Sequence, residues 1–135
     1  METRDTFLLT MRPKIEGIIL NSQMTADERF QNQTLRPIIK LQNDLLVEVF
    51  RNYVAKLKNV FYTLTPERKL HYIENAIQKD IKFRNSIKGM IIGQFTLDEY
   101  LHYIQNSSAL NKRMMNIVCE RLKSNVQIFE YAVAV

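Results

Sequence analysis

Arg84 and Lys88 stand one helical turn apart in the basic stretch from Lys79 to Lys88. Two cations at that spacing can hold one oxyanion between them. Arg113 or Arg121 could join them from the last helix. Glu74 projects close to Leu70, Ile77 and Ile81, which makes it the expected buried acid. A buried carboxylate needs a cation, and Arg121, inside an apolar helix face, is its expected partner. Gln42 and Asn111 also fall within apolar stripes. The set reads in two ways. One is a structural ion pair with amide bonds that fixes helix register. The other is a pocket in which Arg84, Lys88 and Arg121 recognise an anionic group, Gln42 and Asn111 orient it, and Glu74 holds Arg121. A third use of the same residues makes Glu74 the general acid or base of an enzyme for a small anionic metabolite, which demands an enclosed site and a raised pKa.

Other chemistries have less to stand on. The two histidines are His71 and His102. His102 follows Asp98 by one turn, but no second ligand pair supports it, so no metal and no cofactor is expected. Cys119 sits at the edge of an apolar face with no histidine near it in sequence, and reads as a packing residue. Gly89 to Gly93 lacks the Lys and Ser or Thr of a phosphate-binding loop. Nucleic-acid binding would need Lys79, Lys82, Arg84, Lys88, Lys112 and Arg113 on one continuous surface; no recognised signature is visible, and nucleic acid is not the expected partner. Most aromatic side chains fall on helix stripes, with Tyr103, Phe83 and Tyr131 the expected exposed ones.

The elements that position these residues are helices. The 135 residues suit one domain over 1–135, and 46% apolar residues with three Gly and three Pro fit neither disorder nor a many-stranded sandwich. The net charge of +5 permits an acidic partner without requiring one. No secretory signal pattern and no apolar run of about 20 residues is visible, so a cytoplasmic protein without a membrane span is expected.

Phe7, Leu8, Met11, Ile15, Ile18 and Ile19 predict a helix from about Arg4 to Leu20, kinked or restarted at Pro13. Thr25 and Glu28 form a capping box for a short turn to about Asn32, and Thr34 is the expected cap of a long helix from Leu35 to Phe61. Thr65 and Pro66 open a helix through Ile73 to Ile81. The stripe then changes direction at Phe83, Ile87 and Ile91. A continuous helix turns Arg84 and Lys88 inward; a break with Asp80 as cap swings them toward solvent. Thr96 and Glu99 form a second capping box, with Phe95 and Tyr100 as the hydrophobic staple. The last long helix runs from Leu110 to about Ala132, and its broad apolar face calls for two neighbours or a second subunit. The expectation is an all-α bundle of five or six helices built on the two long ones, associating as a homodimer through that last face.

The runs Arg29 to Asp44, which contains Thr34-Leu35-Arg36-Pro37, Lys79 to Asn85, and Ser107 to Asn116 resemble those of short all-helical bacterial proteins labelled "glyoxalase". The resemblance covers most of the chain and assigns no catalytic residue. Glyoxalase I resembles repeated βαβββ modules with His and Glu ligands, and glyoxalase II carries a His-x-His-x-Asp-His run; this sequence has neither. What remains by elimination is a binding or interaction module.

Overall fold

The computed structural model describes residues 2–18, 20–126 and 129. Among them the chain is all-α, with no strand. Helix α1 covers Glu2–Met11, α2 Ala26–Phe30, α3 Arg36–Leu41, α4 Asn43–Lys56, α5 Pro66–Gln78, α6 Ile81–Ile92, α7 Leu97–Tyr103 and α8 Ser107–Ser124. A π-turn, Gln31–Leu35, joins α2 to α3, and a 3₁₀ turn, Val60–Thr63, follows α4. There are more segments than the five or six expected because the helix expected from Leu35 to Phe61 is divided at Gln42 and the chain breaks again at Asp80.

α1 ends at Met11 and does not resume after Pro13, which corrects the expected extension to Leu20. Proline disfavours α geometry in the residue before it, and Gly17 then takes a positive φ of 80° in a turn. Thr25 caps α2 through the Glu28 N–H as expected. Thr34 caps nothing. It lies buried inside the π-turn, in a helical path that is already under way at Ala26. The cause is Pro37, which has no N–H to donate and whose ring would crowd the carbonyl four residues back. Widening the preceding turn solves both problems, and Arg36 N–H bonds back to the Gln31 carbonyl, five residues away. At Gln42 the path bends, yet Gln42 N–H to Ile38 O at 2.9 Å and Leu46 N–H to Gln42 O at 2.8 Å keep it bonded. α4 stops at Lys56 rather than Phe61, closed by Lys58 and Asn59 at φ 63° and 60° with Asn59 N–H returning to Val54 O.

Thr65 and Pro66 open α5, and Asp80 caps α6 by accepting the Phe83 N–H at 3.2 Å. The helix therefore breaks at Asp80. Thr96 and Glu99 complete their capping box in both directions. The Phe95 ring packs against Phe30 and Tyr103, and the Tyr100 ring also lies against Tyr103, with Tyr100 43% exposed. Tyr103 and Phe83 are buried, which corrects their expected exposure; Tyr131 lies outside the described residues. α8 begins at Ser107, ahead of the expected Leu110, and turns at Asn125; Ala132 lies outside the described residues.

α8 is the central element. It buries Leu110, Met114, Met115, Ile117, Val118, Cys119 and Leu122 against α3, α4, α5, α6 and the π-turn. Each such side chain contributes about 1.5–3 kcal/mol of apolar burial. Its broad face is thus covered by helices of its own chain. Around Phe50, the rings of Phe61, Tyr72, Phe83 and Phe129 close the other end of the core at centroid separations of 5.0 to 6.4 Å. No described helix is long and apolar enough to cross a membrane.

Candidate functional site

Among the described residues, no hydrogen bond or ion pair joins any two of the six residues expected to form one site. Glu74 pairs with Lys123 rather than Arg121, with His71 at 3.7 Å on its other side. Its side chain is 39% exposed, so it is not the buried acid. The inward face of α5 is centred on Lys69, Ile73, Ala76 and Ile77, while Leu70 and Ile81 are exposed, and Glu74 stands about 100° off that centre. The Lys123 hydrogen bond and charge hold the Glu74 carboxyl below its usual range, opposite to what an acid catalyst near neutral pH needs. Gln42, half-buried, donates its amide to the Met90 carbonyl at 3.2 Å and ties α3 and α4 to α6. Asn111 accepts from the Tyr103 hydroxyl and ties α8 to α7. These two amides are structural ties. Arg121 and Lys88 make no side-chain hydrogen bond or ion pair among the described residues.

Arg84 lines a cleft. A space of about 300 Å³ between α6 and α8 is bounded by Gln78, Arg84, Lys112, Met115 and Asn116. Lys112 and Asn116 also bound a neighbouring cleft of about 490 Å³ between α8 and the α2–π-turn–α3 path. Arg36, Arg113 and Gln31 line that second space, with Asp27 and Glu120 beside them. Four cations, Arg36, Arg84, Lys112 and Arg113, therefore occupy two adjoining clefts. No carboxylate lies within ion-pair distance of any of the four among the described residues. Two of the guanidiniums are held by neutral groups: Arg113 Nη1 donates to Gln31 Oε1 at 2.9 Å, and Arg36 Nε donates to Asn32 Oδ1 at 3.1 Å. Asp27 is engaged elsewhere, accepting from Asn106 Nδ2 at 2.8 Å.

The π-turn is what builds this wall. It places Gln31 and Asn32 toward the two arginines, and the proline that causes it follows Arg36 directly. Reading Thr34 as a cap divides the path in two, leaving Gln31 at the end of one short helical turn and Arg36 in the first turn of the next helix, so the spacing does not bring them to one wall. A proline three residues after that presumed start was the available signal.

Lys79 and Lys82 lie elsewhere, in a cleft of about 550 Å³ with Tyr53, Tyr72 and Asp80 that shares no lining residue with the other two. There the Tyr53 hydroxyl donates to Asp80 Oδ2 at 2.8 Å, and burial together with that bond pushes the phenol pKa well up. Of the six bases named for a nucleic-acid surface, Lys79 and Lys82 thus line this cleft and Arg84, Lys112 and Arg113 line the other two, while Lys88 lines none of the three. A third region, lined by Leu9, Arg12, Phe30, Thr34, Glu99 and His102, contains a half-buried acid, Glu99, whose side chain is 17% exposed. His102 stacks on Phe30 at 5.1 Å, and His71 is 76% exposed beside Glu74. Among the described residues, no three His, Cys, Asp or Glu side chains converge as metal ligands.

Comparison with protein-family models, with curated proteins and with solved structures finds no match to this chain. The site is therefore read from its own residues.

Proposed function

We propose that this chain is a helical binding module for an anionic small molecule, with Arg36, Arg84, Lys112 and Arg113 as the recognising groups. The observation that carries the reading is the gathering, on the walls of two adjoining clefts, of four cations that form no ion pair with a carboxylate among the described residues. Cations on a helix surface usually sit beside acids or spread apart. Here the neutral amides of Gln31 and Asn32 hold two guanidiniums in place, and although Asp27 and Glu120 line the same cleft, no carboxylate among the described residues forms an ion pair with them. A guanidinium held this way offers its remaining N–H donors in a fixed fork, and less side-chain entropy is lost when an oxyanion arrives. Arg84 is retained from the sequence reading, as is Arg113, named there as an addition; Lys88, Arg121, Glu74, Gln42 and Asn111 give way to Arg36 and Lys112.

Isothermal titration of the protein with inorganic phosphate and with sulfate tests the reading. Binding is expected, weakened about tenfold or more in Arg113→Ala, whose melting temperature should stay close to that of the parent. No heat and no thermal shift from either anion at millimolar concentration would remove the reading.

Self-association is a separate part of the reading. The α8 face being covered within the chain, its surface would be the exposed apolar side chains Phe7 and Met11 of α1 and Leu97, Leu101 and Ile104 around α7. Light scattering on a sizing column measures it; a monomer at every concentration rejects it.

A further inference from the structure

We propose that the ligand carries two linked phosphoryl groups, one in each of the adjoining clefts, with Lys112 between them. This rests on the anion reading above and adds the ligand's chemical class. The two clefts are separate spaces, yet they share Lys112 and Asn116, which stand one turn apart on α8. The smaller receives its other cation from Arg84 of α6, and the larger receives Arg36 and Arg113. A single phosphoryl group can fill one space and engage one set. Two linked groups can engage both, and the compact ammonium of Lys112, with three donors that rotate freely, suits the bridge between them.

The acids decide against a long polyanion. Asp27 and Glu120 line the larger cleft together with its cations, so each further phosphate of a nucleic-acid strand there would add repulsion from two carboxylates. The basic residues that could extend the run the other way, Lys79 and Lys82, lie in the cleft that shares no lining residue with these two. A short diphosphate with no further negative charge fits both observations, and hydroxyls attached to it could donate to the two carboxylates.

The test is calorimetric titration of the whole protein with inorganic phosphate, pyrophosphate and a short single-stranded oligonucleotide, at matched ionic strength. Pyrophosphate is expected to bind at least about tenfold tighter than phosphate. Arg84→Ala should remove that advantage while leaving phosphate affinity within about threefold, and Arg113→Ala should weaken both ligands. Arg84→Gln, which keeps a polar side chain of similar length, should repeat the Arg84→Ala result and guards against a folding artefact. Pyrophosphate binding no tighter than phosphate would overturn the inference and leave the anion reading standing. Equal loss for both ligands in the Arg84 variants would overturn it too, since charge alone would then explain the difference. Tighter binding of the oligonucleotide, falling steeply with salt, would overturn it in favour of a strand. Binding of none of the three would remove the anion reading itself.

Discussion

Arg12 and Glu99 face each other as fork to fork, with Nη1 2.6 Å from Oε2 and Nη2 2.7 Å from Oε1. The two side chains are 7% and 17% exposed. Glu99 accepts from Thr34 Oγ1 and the Thr96 backbone N–H as well, each at 2.8 Å. One carboxylate thereby joins the segment after α1, the π-turn and the start of α7. The attachment matters most for α1, which places no residue in the buried core. Its other fastenings are polar: Arg4 donates to the carbonyls of Gly93 and Phe95, and Asp5 accepts from the Leu97 N–H.

Arg12→Ala should therefore lower stability by about 3 kcal/mol, because it leaves a carboxylate desolvated without its cation. Urea denaturation followed by circular dichroism measures this. Replacing both partners by leucine should still cost stability, unlike a simple buried pair, since Thr34 and the Thr96 N–H would lose their acceptor. A double leucine variant as stable as the parent would show that the network contributes nothing net.

Acid should weaken the fold through the same carboxylate. Burial raises the Glu99 pKa, but hydrogen bonds from Arg12, Thr96 and Thr34 and the charge of Arg12 lower it further, and the balance is a lowered value. A carboxyl whose pKa is lower folded than unfolded stabilises the protein above the unfolded value, near pH ~4.3, and loses that contribution as pH falls through the folded value. Glu74 and Asp80, also lowered, act with the same sign. Denaturation midpoints measured from about pH 6 to about pH 3 should fall, and Glu99→Gln should flatten the decline.

Lys58→Gly should stabilise by about 0.5–1 kcal/mol. Lys58 is exposed and held at φ 63°, a left-handed conformation that costs a residue with a Cβ about 1–2 kcal/mol, partly offset by the greater freedom of glycine in the unfolded chain. Thermal melts of the two proteins compare them directly, and an unchanged or lower midpoint would contradict the expectation.

Cys119 should resist alkylation until the protein unfolds. It is 5% exposed, and burial pushes its thiol pKa up. Both effects suppress the thiolate that reacts. Labelling with iodoacetamide in increasing urea should follow the unfolding curve; rapid labelling of the native protein would disprove it.

The helical class and most starts were legible because caps and apolar spacing are local signals. Thr25, Thr65, Asp80 and Thr96 each hold the N–H groups that their side chains suggest. The site was less legible. A stripe gives the angle of a side chain about the helix axis but not where the stripe is centred, and Glu74 was misplaced by one residue's rotation. Partners across helices depend on packing that no spacing encodes, which is why Glu99 was read as a cap and its bond to Arg12 went unseen. Gln42 and Asn111, whose apolar stripes point inward, are half-buried, and each is held by a structural partner, Met90 O and the Tyr103 hydroxyl.

The π-turn has one residue more than an α-helix would use over the same rise, so it acts as a phase shift in the chain. Every residue from Arg36 onward is rotated relative to those before Gln31 by roughly the 100° that one residue subtends. Deleting any one of the five residues from Gln31 to Leu35 would shorten the path by that step and set Pro37 against an intact α turn. Alignments to this chain are accordingly safest when a gap is allowed here, and two proteins differing by that single gap could share a core while presenting different cleft walls.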